Sequence, residues 1–242
     1  VTGVQTCALP IFMSAETWKL LDWFKENKGK SKTRLAINSN LGPEVDIDRL
    51  LDSIEGLEVD IYTSQGSTRE QAEYIRDGLD YDAWLVNVQK LLDSDNIRAV
   101  HCMATINALC LDSLPEFIDF IVMFKHKYGT DFPNFTLNIL RFPSFQSPLV
   151  LSDELRTDYR DRLVKVLARY KDSSVLQEHE HNHLSRLIDY LDIVKTPHSE
   201  AFDLPKLHND FKQFYAQYDQ RRGKNFAQTF PHLKDWYESI QI

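Results

Sequence analysis

The sequence predicts an α/β protein with a parallel sheet, followed by a helical carboxy-terminal region. Three observations carry that expectation. Four short apolar runs each end in polar residues, near 38–40, 62–67, 102–107 and 141–147. Amphipathic helical stretches separate them, and strands joined through helices imply right-handed crossovers and parallel pairing. From about Ser152 the periodicity stays helical, with no clear strand signal.

The elements follow in order. "SAETWKLLDWFKENKGKSK" begins with a capping pattern at Ser14 and Thr17, and sets Trp18, Leu21 and Phe24 on one helical face before a turn at Gly29. "TRLAINSNLG" holds a strand at Leu35 to Ile37, stopped by Gly42 and Pro43. "DIDRLLDSI" is a helix capped by Asp46 and ended at Gly56, and "LEVDIYTSQG" is the second strand. The stretch 67–94 reads as a capped, partly irregular segment and then a helix with Trp84, Val88, Leu91 and Leu92 on its apolar face. "IRAVHCMATIN" is the third strand, "LPEFIDFIVMFKHKYG" a long helix, and "FTLNILRFP" the fourth strand, closed by Pro143. Beyond it come four helix-like stretches, two of them separated by Pro197 and Pro205.

Composition narrows the class. A hydrophobic content of 43% fits a globular protein with a substantial core. The densest apolar run, "FIDFIVMF" at 117–124, is too short to span a bilayer, so no membrane association is expected. A net charge of -8 argues against general nucleic-acid binding. With Cys7 set aside in the uncharged leading segment, Cys102 and Cys110 remain, which do not make a disulfide framework and suit a reducing cytoplasm.

Residues 1–11, "VTGVQTCALPI", carry no charge in a chain that is 26% charged. They lack the basic region and sustained apolar run of a secretory signal. The segment resembles the codon-by-codon translation of a common sequencing-adapter string, so the native protein is expected to enter near Phe12, in mid-gene. The expected organisation is an adapter-derived segment at 1–11, an α/β unit at 12–151 and a helical region at 152–242.

In parallel α/β arrays ligands bind at the carboxyl ends of the strands. Here those ends read "NSN", "YTSQGS", "CMATIN" and "RFPSFQS": hydroxyls and amides, without a carboxylate pair or a Cys/His/Asp constellation. That chemistry suits a polar, nucleoside-like ligand better than hydrolysis by protein carboxylates. Ordinary loop chemistry accounts for the same residues.

The ordered series "LAINSNLG", "LEVDIYTSQGSTREQAEYIRDGLDYDAWLVNVQKLLDS", "IRAVHCMATINALCLDSLPEFIDFI" and "LNILRFPSFQSPLVLSDELR" resembles the second half of a radical SAM enzyme barrel, specifically of members with a twitch-type carboxy-terminal region. The resemblance implies strands three to six of an incomplete (β/α)6 partial TIM barrel. It also implies two cofactors in the intact parent: S-adenosylmethionine, and a [4Fe-4S] cluster held by a CxxxCxxC loop that this chain lacks. Cys102 and Cys110, eight residues apart and late in the barrel, do not replace that motif; buried free thiols are the expected role. No cysteine follows Cys110, so no auxiliary cluster is expected.

Carried over position by position, the resemblance implies S-adenosylmethionine contacts from Ser39 and Asn40, although Leu41 stands where the family has glycine. It further implies contacts from Thr63 and Ser64 after the next strand, from Asn107 near the adenosine, and from Arg76 to the methionyl carboxylate, which suits a guanidinium fork. Structural alternatives are turn formation for Thr63 and Ser64, an ion pair of Arg76 with Asp77 or Glu73, and a helix cap for Asn107. The implied parent cleaves S-adenosylmethionine reductively to a 5'-deoxyadenosyl radical, with an electron donor and a peptide or protein substrate as partners. This chain alone is expected to be inactive and marginally stable or self-associating. The rival expectation is a non-catalytic α/β binding or interaction protein.

Three further features were read from the residues. His179 and His183 have metal-ligand spacing on a helix, but without HExxH or a third ligand a solvated helix face is expected. Arg221, Arg222 and Lys224, with the aromatics beside them, are a candidate contact for an anionic partner, but a helix end closed by Gly223 accounts for the same residues more simply. The aromatic residues of the tail, Phe211, Phe214, Tyr215, Tyr218 and Trp236, are expected mainly as core, with covering the strand ends or binding substrate as the alternative.

Overall fold

The computed structural model describes residues 11–27, 35–129, 133–193 and 203–241. The segment 1–10 and Pro197 therefore lie outside the described residues. Four strands form one parallel sheet in the order β1-β2-β3-β4: β1 Leu35–Asn38, β2 Val59–Thr63, β3 Ile97–Ile106 and β4 Asn134–Ile139. All four carboxyl ends consequently point the same way.

Strand periodicity splits the sheet into two faces of different chemistry. Val59, Ile61 and Thr63 of β2 and Val100, Cys102, Ala104 and Ile106 of β3 are buried against helices. The opposite face carries Asn38, Tyr62, His101 and Asn134 as one row across all four strands. Met103 and Thr105 continue that face toward the carboxyl end of β3. The Tyr62 and His101 rings stack with centroids 4.5 Å apart, and His101 Nδ1 meets Asn134 Oδ1 at 2.7 Å.

The helices form where capping and periodicity coincide. α1 (Ala15–Glu26) buries Trp18 and Leu21. α2 (Ile47–Ser53) is capped by Asp46, whose side chain accepts from Arg49 N at 3.0 Å. Between β2 and β3 the chain makes two helices, α3 (Arg69–Ile75) and α4 (Tyr81–Leu92); Asp80 caps the second and Trp84 fills its buried face. α5 (Leu114–Tyr128) leads to β4 and buries Phe117, Ile118 and Ile121.

After β4 the described residues are helical: α6 (Asp153–Tyr170), α7 (Glu178–Leu191), α8 (Leu204–Arg222), α9 (Phe226–Thr229) and α10 (Lys234–Ser239). Pro205 sits in the first turn of α8, where its missing N–H costs nothing, and Gly223 ends that helix at φ +63°. Leu163, Leu184, Leu187, Phe211 and Phe226 belong to the same buried cluster as Trp84, Val100 and Phe135, so the helical region shares the core of the sheet. Among the described residues no helix is long and apolar enough to cross a membrane.

α7 closes the outer edge of β4. Glu180 Oε1 accepts from Phe135 N at 3.1 Å, and Leu137 O accepts from Arg186 Nη2 at 2.6 Å. His183 is thereby a sheet-edge residue: its Nδ1 lies 3.1 Å from Leu137 O and 2.8 Å from Arg186 Nη2. The expected solvated face is in part a capping face for an exposed strand edge. Among the described residues no group of three His, Cys, Asp or Glu side chains is arranged to hold a metal ion.

Candidate functional site

The strand ends enclose a cavity of about 260 Å³. Its walls come from the segment leaving β2 (Ser64, Gln65, Gly66, Ser67), from the end of α3 (Ile75, Arg76), from β3 and the turn after it (Met103, Thr105, Asn107, Cys110), and from Leu140 and Gln146 beyond β4.

Local packing fixes this shape. A Cβ on Gly66 would lie 2.6 Å from Ala104 Cβ, so only glycine lets the segment press against β3 here. Thr68 then ties the segment to the start of α5: its N–H donates to Ser113 Oγ at 3.2 Å and its hydroxyl to Glu116 Oε2 at 2.7 Å. α3 is gripped from the far side by α8. Tyr74 OH donates to Asp219 Oδ1 at 2.7 Å, and Tyr218 OH donates to Tyr74 O at 2.8 Å. Burial, reinforced by Asp219, holds the Tyr74 phenol well above its ordinary pKa. This clamp delivers Arg76, the residue that ends α3, to the cavity wall.

Among the described residues lining the cavity Arg76 is the only charged group. It is half-buried, and desolvation lowers its pKa, though a guanidinium stays protonated at any accessible pH. Its guanidinium has no hydrogen bond or ion pair to another described residue. Both carboxylates considered as its partners are engaged elsewhere. Asp77 pairs with Arg222 at 2.5 Å and with Lys224 at 3.2 Å, while Glu73 Oε1 accepts from Tyr81 N at 2.9 Å. A desolvated cation without a counter-charge is costly unless an anion joins it.

Asn107 Oδ1 accepts from Leu109 N at 2.9 Å and Cys110 N at 3.1 Å, so its carbonyl caps the turn after β3. Its NH2 group has no partner among the described residues and belongs to the cavity wall. Gln146 is fixed in the wall through its backbone, its N–H donating to Pro143 O at 3.0 Å and its carbonyl accepting from Ala108 N at 2.9 Å. Gln65 is only 2% exposed, and its Nε2 has no partner among the described residues.

Three expected contacts fall elsewhere. Thr63 is fully buried on the helix-covered face, where its Oγ1 accepts from Trp84 Nε1 at 3.1 Å; strand parity turns it away from the cavity. Ser39 Oγ accepts from Leu41 N at 3.1 Å, and Asn40 bonds Gly42 N through Oδ1 and Glu44 through Nδ2, so both are spent on the turn after β1. Leu41 takes φ +52°, the backbone that a glycine would adopt freely. Ser64, Arg76 and Asn107 do meet in one cavity. Thr105, on the open face of β3, and Gln65 and Gln146, inside the quoted strand ends, were not singled out by sequence; alternation along β3 was the available signal for Thr105.

The two described thiols do not fit an iron–sulfur cluster. Burial pushes Cys102 up to about 12 and Cys110 up to about 11, and Cys110 Sγ donates to Asn107 Oδ1 at 3.2 Å. Cluster ligands are thiolates, whereas both of these groups are held protonated. No protein-family model matches the chain, and no curated protein or solved structure is significantly similar to it.

Proposed function

We propose that this chain supplies the S-adenosylmethionine-binding part of a radical SAM enzyme that acts on a peptide or protein. The single observation that carries the reading is Arg76: a half-buried, unpaired guanidinium in a cavity otherwise lined by hydroxyls, amides and apolar groups at the carboxyl ends of parallel strands. Such a site favours a ligand with one carboxylate and several neutral hydrogen-bonding groups. Arg76 would hold the carboxylate. Ser64 and the Asn107 NH2 group would meet the ligand's hydroxyls and ring nitrogens, and Met103 and Leu140 would cover its apolar parts. In the family that the sequence resembles, the bound cofactor is the source of a radical that abstracts hydrogen from the substrate. No step through an iron–sulfur cluster is assigned to this chain, because its described thiols do not suit one.

Titration calorimetry with S-adenosylhomocysteine and with methylthioadenosine, which lacks the amino-acid carboxylate, tests the reading. S-adenosylhomocysteine should bind the wild type and lose roughly tenfold or more in Arg76→Ala, the scale of a charge-assisted hydrogen bond. Methylthioadenosine should be indifferent to the substitution. Equal binding of both ligands, or binding of neither, would remove it.

A second reading is a non-catalytic α/β binding protein. It is favoured by how many strand-end groups the fold itself consumes: Asn40, Thr63 and the Asn107 carbonyl all serve turns or packing. Under it Arg76 takes simple carboxylates as readily as nucleosides, and an acetate titration separates the two.

A further inference from the structure

Two large hydrophobic side chains, one in the loop after β4 and one on α8, are left exposed. Phe142, in the loop after β4, is 82% exposed, and Phe214, on α8, is 39% exposed. Phe145 packs against Phe214, with ring centroids 5.3 Å apart. The next residue, Gln146, lines the cavity. From Phe214 a shallow groove of about 290 Å³ runs along α8 past Tyr218 to Arg221 and Arg222. The Phe214 and Tyr218 rings are 6.1 Å apart and nearly parallel, at 19°. Arg222 is neutralised by Asp77. Arg221 donates to Gln217 Oε1 of its own helix at 3.3 Å and meets no carboxylate among the described residues.

Cations near a helix carboxy-terminus are favoured by the dipole in any case. That does not account for the exposed Phe214 that shares their groove, nor for a positive groove on a chain whose net charge is -8. We infer that the α8 groove docks an acidic peptide segment: an aromatic or aliphatic side chain lies against Phe214 and Tyr218, and a neighbouring carboxylate pairs with Arg221. Residues 214 to 221 span about 10 Å of helix, which three or four residues of extended peptide match. Phe145, which packs on Phe214, directly precedes the cavity-lining Gln146, so a docked segment continued past Phe214 would run toward the strand ends. This deepens the peptide reading above and rests on it for the use made of the docked segment, but docking is measurable without any reaction.

Fluorescence anisotropy with a short labelled peptide alternating glutamate with leucine and phenylalanine provides the test, with its lysine-for-glutamate counterpart as control. Phe214→Ser and Arg221→Glu are surface changes on α8, and thermal unfolding checks that each variant folds. The acidic peptide should bind, the lysine peptide should not, and each substitution should weaken binding at least about fivefold, as for a residue of moderate weight in an interface. Equal binding of both peptides, or no effect of either substitution, overturns the proposal. So does a second copy of the chain in the groove, seen as a dimer by sedimentation and abolished by Phe214→Ser. S-adenosylhomocysteine titrated into the same samples keeps the outcomes apart: retained nucleoside binding with lost peptide selectivity refutes only the docking surface, and the reverse refutes only the cofactor site.

Discussion

Nζ of Lys125 on α5 lies 2.5 Å from Oε2 of Glu180 on α7, with both side chains closed off from solvent. The same carboxylate accepts from Gln177 N at 2.8 Å and from Phe135 N at 3.1 Å. One buried ion pair therefore joins a helix of the sheet layer, a helix of the carboxy-terminal region and the edge strand. Losing the carboxylate breaks this buried pair and removes the acceptor of Phe135 N, which together cost about 3–5 kcal/mol. Glu180→Ala is expected to lower the unfolding free energy by that amount in urea titration. The double variant Lys125→Met, Glu180→Leu should recover most of the loss, and a loss as large in the double as in the single variant would contradict this account.

Thr63 acts in packing. Thr63→Val removes the acceptor for Trp84 Nε1 without changing volume much, so stability should fall by about 1–3 kcal/mol, the penalty for a buried donor left without a partner. S-adenosylhomocysteine affinity should stay within about twofold of wild type, because a residue facing the helix layer does not touch the ligand. A selective affinity loss would return Thr63 to the site.

Gln65 should show opposite signs in stability and binding. Its buried Nε2 makes no hydrogen bond to any described residue, so Gln65→Leu replaces an unsatisfied amide by an apolar group of similar size. The variant is expected to be more stable by about 1 kcal/mol in denaturant titration and to bind the nucleoside ligand more weakly. A destabilised variant would mean that the amide has a partner in solution.

Alkaline pH should weaken the fold before it weakens Arg76. Cys110 is raised from 9.0 to about 11 and Cys102 to about 12, both by burial, and Tyr74, Tyr159 and Tyr215 are also raised. A raised folded-state pKa means that the unfolded chain loses its proton first. The stabilising contribution is thus complete below pH 9 and declines as pH rises toward 11 and beyond, by roughly 1.4 kcal/mol per pH unit for each group between its two pKa values. Melting temperature followed from pH 8 to 11 should fall progressively, and both thiols should resist alkylation at pH 8 until the protein unfolds. A flat profile would show that the thiols are reached by water.

Much of the fold was legible because its signals are local. Asp46 and Asp80 cap the helices expected after them, and Trp84, Val88 and Leu91 bury the expected face. The four apolar runs became the four strands with ends shifted by a few residues, as fraying and strand-end chemistry allow. His183 was not legible in its role, because its partner, Leu137, lies 46 positions away on an edge strand that sequence does not mark as an edge.

For the site, sequence placed polar groups at the strand ends but not the direction in which each side chain points. Ser64, Arg76 and Asn107 converge on one cavity, whereas Thr63, one residue before Ser64, turns to the opposite face, because strand side chains alternate. Ser39 and Asn40 close a local turn with their own hydrogen bonds.

Local propensity and apolar periodicity in the sequence by themselves determined an α/β chain with strands, crossover helices and a helical end, since each of those depends on residues a few positions apart. Only the tertiary structure decided that Asp77 and Glu73 are occupied by Arg222, Lys224 and Tyr81 and that Arg76 is left unpaired at the cavity wall. The physical reason is that a charge is free or satisfied according to what distant segments bring within hydrogen-bonding reach of it, and chain-local spacing carries no record of that competition.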